Sequence, residues 1–158
     1  MGGPKQLAAV LAEKAGPVFE GTDYPGHFPQ RVKGRSKVLL ADIFGLTNFG
    51  VNLTRLKPGT QSALRHFHTA QDEFVYILQG EAVLITDSGE TVLRAGMCAG
   101  FKAGIRDAHH LINRSDRDVV YLEIGDRNEG DEVFYPDDDL HLPADASYTH
   151  KDGTPWIR

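Results

Sequence analysis

Residues 64–80, LRHFHTAQDEFVYILQG, decide how the rest of the chain is read. His66 and His68 stand two apart, and after four intervening residues Glu73 opens the apolar run Phe74-Val75-Tyr76-Ile77-Leu78. On a strand that spacing puts both imidazoles on one face, about 6–7 Å apart along the backbone. A carboxylate at the head of so greasy a run costs desolvation unless a positive charge sits beside it. Two rings leaning together can meet one ion at about 2.0–2.1 Å. Glu73, starting the returning strand after the loop TAQD, can bring an oxygen to the same point. A third imidazole is available in DAHHLIN, residues 107–113, from His109 or His110.

Outward from this stretch, between about Lys37 and Gly125, short runs rich in Val, Ile, Leu, Phe and Tyr alternate with turn residues. The runs are KVLLADIF, FGVNLTRL, FVYILQG, AVLITDSG, TVLRAG and VVYLEIG. Strands at this spacing predict an all-β sandwich or barrel. TDSGET at 86–91 reads as a hairpin connection, and KPGT at 57–60 as a turn with Pro58 presetting its backbone. In residues 73–79 Glu73, Val75 and Ile77 share one face, and Phe74, Tyr76 and Leu78 the other. A half-solvated strand would alternate polar and apolar residues. The outer face is therefore expected to be covered, by an N-terminal arm or by a second copy, and a homodimer is expected. In VVYLEIG, Val120, Leu122 and Ile124 read as the core face, which sends Glu123 outward.

The 158 residues fit one domain with an ordinary core. With 41% hydrophobic and 25% charged residues the composition is that of a globular protein. A net charge of −5 argues against a nucleic-acid partner, because such proteins carry a clustered basic face. No run approaches the roughly 20 apolar residues of a membrane span. The apolar stretch Leu7–Leu11 is broken by Glu13 and Lys14, a poor secretory signal, so a cytoplasmic location is expected. Cys98 is alone, which excludes a disulfide framework and a thiolate metal cluster, and it reads as a small apolar filler.

Three segments follow from these textures. Residues 1–36 form an N-terminal helix and arm, with helical composition over 5–15. Residues 37–125 form the barrel. Residues 126–158 form an acidic, turn-rich extension anchored by Phe134, Tyr148 and Trp156. Asp137, Asp138 and Asp139 lack the alternating ligand pattern of a calcium loop and read as a solvated turn. Arg65, of opposite parity to the histidine pair, reads as a salt-bridge or rim residue, and Gln71 and Asp72 as turn residues. His27, His141 and His150 read as surface histidines.

PGTQSALRHFHTAQDEFVYILQG resembles the first cupin motif: a Gly, His-x-His, four residues, Glu, six residues, Gly. The match runs from His66 through Gly80, with the leading Gly59 one residue further away than usual. GMCAGFKAGIRDAHHLIN, residues 96–113, is similar to the second motif, with Lys102 where Pro is usual and two extra residues after Gly104. The resemblance implies a double-stranded β-helix, a jelly-roll barrel. It also implies a divalent metal held by three His and one Glu, with positions left open for water or substrate. Counting back from Asn113 in that motif selects His109 as the third imidazole, beside His66, His68 and Glu73. Zinc, iron, manganese, nickel, cobalt and copper all suit three nitrogens and one oxygen.

GLTNFGVNLTRLKPG and HKDGTPW resemble a group of small single-domain cupins described as sugar-phosphate-isomerase-like. The function expected is therefore that of a metal-dependent enzyme on a small oxygen-rich metabolite: a sugar, sugar phosphate or hydroxy or keto acid. An iron-dependent dioxygenase and a non-catalytic binding or sensing module are the alternatives. An isomerase also needs a positioned base, and the sequence names no catalytic residue for that role.

Overall fold

The β-branched and aromatic runs become strands whose antiparallel pairing closes a jelly-roll barrel, an all-β fold. The computed structural model describes residues 7–144 and 147–157. The strands are β1 (Phe19–Glu20), β2 (Arg35–Leu39), β3 (Phe49–Leu56), β4 (Phe67–His68), β5 (Glu73–Gln79) and β6 (Glu81–Thr86). They continue with β7 (Gly89–Arg94), β8 (Cys98–Phe101), β9 (His110–Ile112), β10 (Val119–Asp126), β11 (Val133–Tyr135) and β12 (Leu140–Leu142). One face is a six-stranded sheet in the order β1-β2-β3-β10-β5-β8. Two three-stranded sheets, β7-β6-β9 and β12-β11-β4, complete the walls. The hairpin expected at 86–91 joins β6 to β7, with Thr86 opposite Gly89.

The inward face of the large sheet changes character along its length. At one end Leu56, Ile77, Val119 and Tyr121 pack with Ala82, Leu84, Leu93 and Leu111 of the facing sheet into an apolar core. Moving along the same faces, β3 passes from Leu56 through Thr54 to Asn52, and β10 from Tyr121 to Glu123. β5 passes from Ile77 through Val75 to Glu73, and Lys37 of β2 lies opposite Thr54. Apolar side chains fill one half of the barrel, while the other half opens into a cavity where polar groups stand among apolar ones.

That register corrects the reading of Glu123. Residues directly opposite in an antiparallel pair share a face. Glu123 pairs with Val75 on one side and Asn52 on the other, so it points inward. Val120 and Leu122 instead pack on the outside with Val38, Leu53, Ile43 and the arm residues Ala12 and Ala15. Both faces of β10 are covered, so an apolar row could not identify the interior. The Ala12–Ala15 part of the arm covers β2, β3 and β10. On β5 the outer row Phe74, Tyr76 and Leu78 stays 39%, 39% and 46% exposed in the single chain.

Three further expectations change. Within the expected helix at 5–15, the described residues form only a 3₁₀ turn, Ala12–Lys14, in keeping with the marginal stability of short isolated helices; residues 5 and 6 lie outside the described residues. KVLLADIF leaves the sheet after Leu39 and makes a one-turn helix, α1 (Leu40–Ile43). Cys98 is exposed rather than a filler, because it lies opposite Tyr76 on the outer face of β5.

Beyond Asp126 the chain returns to the barrel. β11 pairs with β4, and Val133, Tyr135 and Leu140 join Tyr24, Phe28, Val32 and Leu64 in a second core, with Tyr148 and Trp156 against it. Phe134 stacks on Phe67 at 5.4 Å. Each carboxylate of the 137–139 turn has a protein partner: Asp137 meets Arg65, Asp138 meets Arg31, and Asp139 accepts from the Lys151 amide. No helix among the described residues is long and apolar enough to cross a membrane.

Gly80 makes the tight connection between β5 and β6 at φ +83°, and a Cβ there would lie 2.5 Å from the Asp118 carbonyl oxygen. Gly80→Ala meets a positive-φ penalty of about 1–3 kcal/mol together with this backbone clash. Urea denaturation of the variant is expected to show a loss of at least about 2 kcal/mol.

Candidate metal centre

The three histidines are brought together by backbone pairing. The His66 amide donates to the His109 carbonyl at 3.1 Å, and the His109 amide donates back to His66 at 2.8 Å. This two-residue bridge docks the segment before β9 against the start of β4. The His66 ring lies 5.2 Å from that of His68 and 4.8 Å from that of His109, centroid to centroid. Glu73 enters from the first position of β5. Its Oε2 is 2.7 Å from His109 Nε2 and 3.4 Å from His66 Nε2, and its Oε1 is 3.4 Å from His68 Nε2.

The outer nitrogens set how these rings present themselves. His66 Nδ1 donates to the Leu64 carbonyl at 2.7 Å, and His68 Nδ1 donates to Asp131 Oδ2 at 2.5 Å. With the outer proton held on Nδ1, a cation that displaced any proton from Nε2 would meet a lone pair there, the arrangement metal-binding histidines use. Phe101 stacks flat on His109 at 3.5 Å and fixes its ring. Asp131 also accepts from the amides of Ala70 and Gln71, so one carboxylate orients His68 and pins the loop before Glu73.

Charge balance inside the cluster is tight. Burial opposes ionisation of Glu73, but His109, His66 and His68 outweigh it and hold the carboxyl well below the usual range. Burial also works against a proton on His68, yet Glu73 and Asp131 push its pKa up to about 9. His109 is lowered, first by burial and then by the neighbouring His66 and His68, against the pull of Glu73.

His66, His68 and Glu73 each bring a ligand atom within 4.8 Å of the others, so this group could hold a metal ion. Glu73 Oε2 is buried and accepts no hydrogen bond of acceptable geometry. A cation among inward-facing Nε2 atoms would give that oxygen a partner, so the residues fit the group. His109 brings a further Nε2 to the same carboxylate. His110, its neighbour, is buried, and its Nδ1 donates to the Ala63 carbonyl at 2.9 Å.

The cluster faces a cavity of about 310 Å³ whose walls include Arg35, Lys37, Asn52, Ser62, His110 and Glu123. A second opening of about 260 Å³ lies past His68, Phe67 and Ile105 and shares Gln71, Glu73, Phe101 and His109 with the first. Arg65 is used elsewhere, in a two-point pair with Asp137 and a contact with Asp87. Gln71 and Asp72 hold the loop, Gln71 by donating to the Asn128 carbonyl and Asp72 by accepting from the Ala103 amide. His141 pairs with Glu132 and His150 with Asp139, while His27 packs its ring on Phe28.

Comparison with known proteins identifies the family. The Cupin domain family model matches residues 52–125. A solved cupin-superfamily sugar phosphate isomerase from Silicibacter pomeroyi is 40% identical, with a TM-score of 0.84, covering 89% of this chain and 92% of its own. The chain belongs to the cupin superfamily. A protein from Acidithiobacillus ferrooxidans, named provisionally as a sugar phosphate isomerase, is 28% identical over 78% of this chain and 81% of its own, with a TM-score of 0.69. A polyketide cyclase of Streptomyces resistomycificus, 18% identical over 61% of this chain and 67% of its own with a TM-score of 0.54, shares the fold. Among curated proteins none matches. Cupins commonly bind a metal, and this cupin has a His and Glu group able to do so.

The sequence alone did not single out Asp131, Arg35, Lys37 or Asn52, and it turned Glu123 the wrong way. Removing Asp131 takes away the acceptor for His68 Nδ1 and for two loop amides. Asp131→Ala is expected to weaken divalent-metal affinity about 10–100-fold, measured by competition with a chromogenic chelator.

Proposed function

We propose that this cupin is a metal-dependent enzyme acting on a small oxygen-rich metabolite, with isomerisation of a sugar phosphate as its reaction. His66, His68, Glu73 and His109 would hold the divalent cation. A bound cation there supplies Lewis acidity toward a substrate oxygen. What supports this most is the pairing of the cluster with a cavity that sets Arg35, Lys37, Asn52 and Glu123 among apolar side chains such as Val75, Leu111 and Ile124.

Arg35 supports a phosphate-bearing substrate. Its residue is 9% exposed, and its guanidinium donates to the carbonyls of Ser62 and Gly21. Among the described residues no carboxylate lies within ion-pair distance of it. A buried cation without a counter-charge is costly, and an anionic group entering the cavity offsets that cost while keeping the bidentate geometry guanidinium favours. The 40% identical relative described as a sugar phosphate isomerase points the same way.

Metal-loaded protein incubated with triose, pentose and hexose phosphates is expected to interconvert aldose and ketose forms, followed by NMR. Turnover is expected to be unchanged without oxygen and abolished by a chelator. Loss of turnover on removing oxygen would favour the dioxygenase reading. Saturable binding with no chemical change would favour the sensing one.

A further inference from the structure

Among the described residues three carboxylates line this cavity, Glu73, Glu123 and Asp126, and of these Glu73 and Glu123 share the inward face of the sheet. Its Oε2 lies 2.6 Å from Lys37 Nζ and accepts from Asn52 Nδ2 at 3.4 Å, while Oε1 accepts only from Thr54 Oγ1 at 3.3 Å. One oxygen is thus strongly paired, and the other keeps acceptor capacity for a proton. The Lys37 and Glu123 side chains are 24% and 25% exposed.

The network has no evident structural task. β2 and β3 are already joined through five residue pairs and β10 and β3 through eight, so the strands do not need a charged clasp. A buried or half-buried ion pair is on average no more stabilising than apolar side chains of the same volume. Four polar side chains on the interior face of a barrel therefore call for a ligand to explain them.

Position supplies the rest. Gly125 is paired with Glu73, and Glu123 stands two residues along the same inward face. Diagonal neighbours of that kind lie about 7–8 Å apart. A two-carbon unit whose oxygens face the histidine cluster would fill that gap and bring a C–H bond toward Glu123.

We propose that Glu123 is the proton-transferring base of this cavity and Lys37 its acidic partner, acting on an α-hydroxy carbonyl compound. The proposal rests on the isomerase reading above. Glu123 takes the proton from the hydroxyl-bearing carbon beside the carbonyl, and the C–H electron pair moves into a carbon–carbon double bond as the carbonyl oxygen becomes an enediolate oxygen. Lys37 donates a proton to that oxygen and recovers one from the neighbouring hydroxyl as the new carbonyl forms. Glu123 returns its proton to the former carbonyl carbon. No electrons leave the substrate, and both side chains end as they began.

The test follows carbon-bound hydrogen in deuterium oxide, using metal-loaded protein and the triose, pentose and hexose phosphates. Wild type is expected to exchange the hydrogen on the carbon beside the carbonyl. Glu123→Gln is expected to lose at least about 100-fold of that exchange rate, the usual weight of a general base. Its metal content and its affinity for the same sugar phosphate are expected to stay near wild type, while its melting temperature falls because Lys37 loses its counter-charge. Exchange by Glu123→Gln within threefold of wild type would overturn the base assignment and leave the isomerase reading intact. A wild type that exchanges nothing would overturn both. If the glutamine variant does not fold, Glu123→Asp decides: it keeps the charge pair and withdraws the base by one methylene. A fall of about tenfold or more supports the proposal, and an unchanged rate refutes it.

Discussion

A single half-buried carboxylate organises the polar half of this molecule. Glu73 begins a strand that is otherwise apolar, and its negative charge is sustained only because three imidazoles converge on it. Those imidazoles are in place because a two-residue backbone bridge ties His66 to His109. Loss of that convergence would leave a partly desolvated carboxylate without its positive neighbours, an unfavourable arrangement. The outer contacts of the rings, to the Leu64 carbonyl, to Asp131 and to the face of Phe101, all serve to keep the inner nitrogens aimed at one point.

The barrel around this point is divided between stability and chemistry. Leu56, Ile77, Val119 and Leu111 fill one end with close-packed apolar side chains. The same strands then carry Thr54, Asn52, Glu123 and Glu73 toward the other end. A rigid apolar half holds the polar half in register, the support a preorganised site needs. The C-terminal extension belongs to this arrangement, because β11 pairs with β4 and Asp131 just before it orients His68.

Much of this was legible in the sequence, for reasons that can be stated. Strand parity placed His66 and His68 on one face, and the desolvation cost of Glu73 demanded a positive neighbour. Periodicity could not say which side of β10 is the interior, because the arm covers its outer face with Ala12 and Ala15, so Val120 and Leu122 looked like core and Glu123 like surface. Asp131 carried no signal in an acidic, turn-rich segment, since its role depends on a pairing across 63 residues of chain. Arg35 and Lys37 sit on a strand that reads as mixed, and only the register with β3 shows that they line the interior.

The chemistry of this protein depends on the histidine and glutamate cluster being a metal site. Metal binding there is tested most directly by elemental analysis of protein purified without added metal, beside the same analysis of His66→Ala. About one divalent ion per chain in the wild type, and a large loss in the variant, is the result expected for a mononuclear site of this donor set. A variant that retains the full metal content, or a wild type that takes up no divalent ion even when supplied, would contradict it.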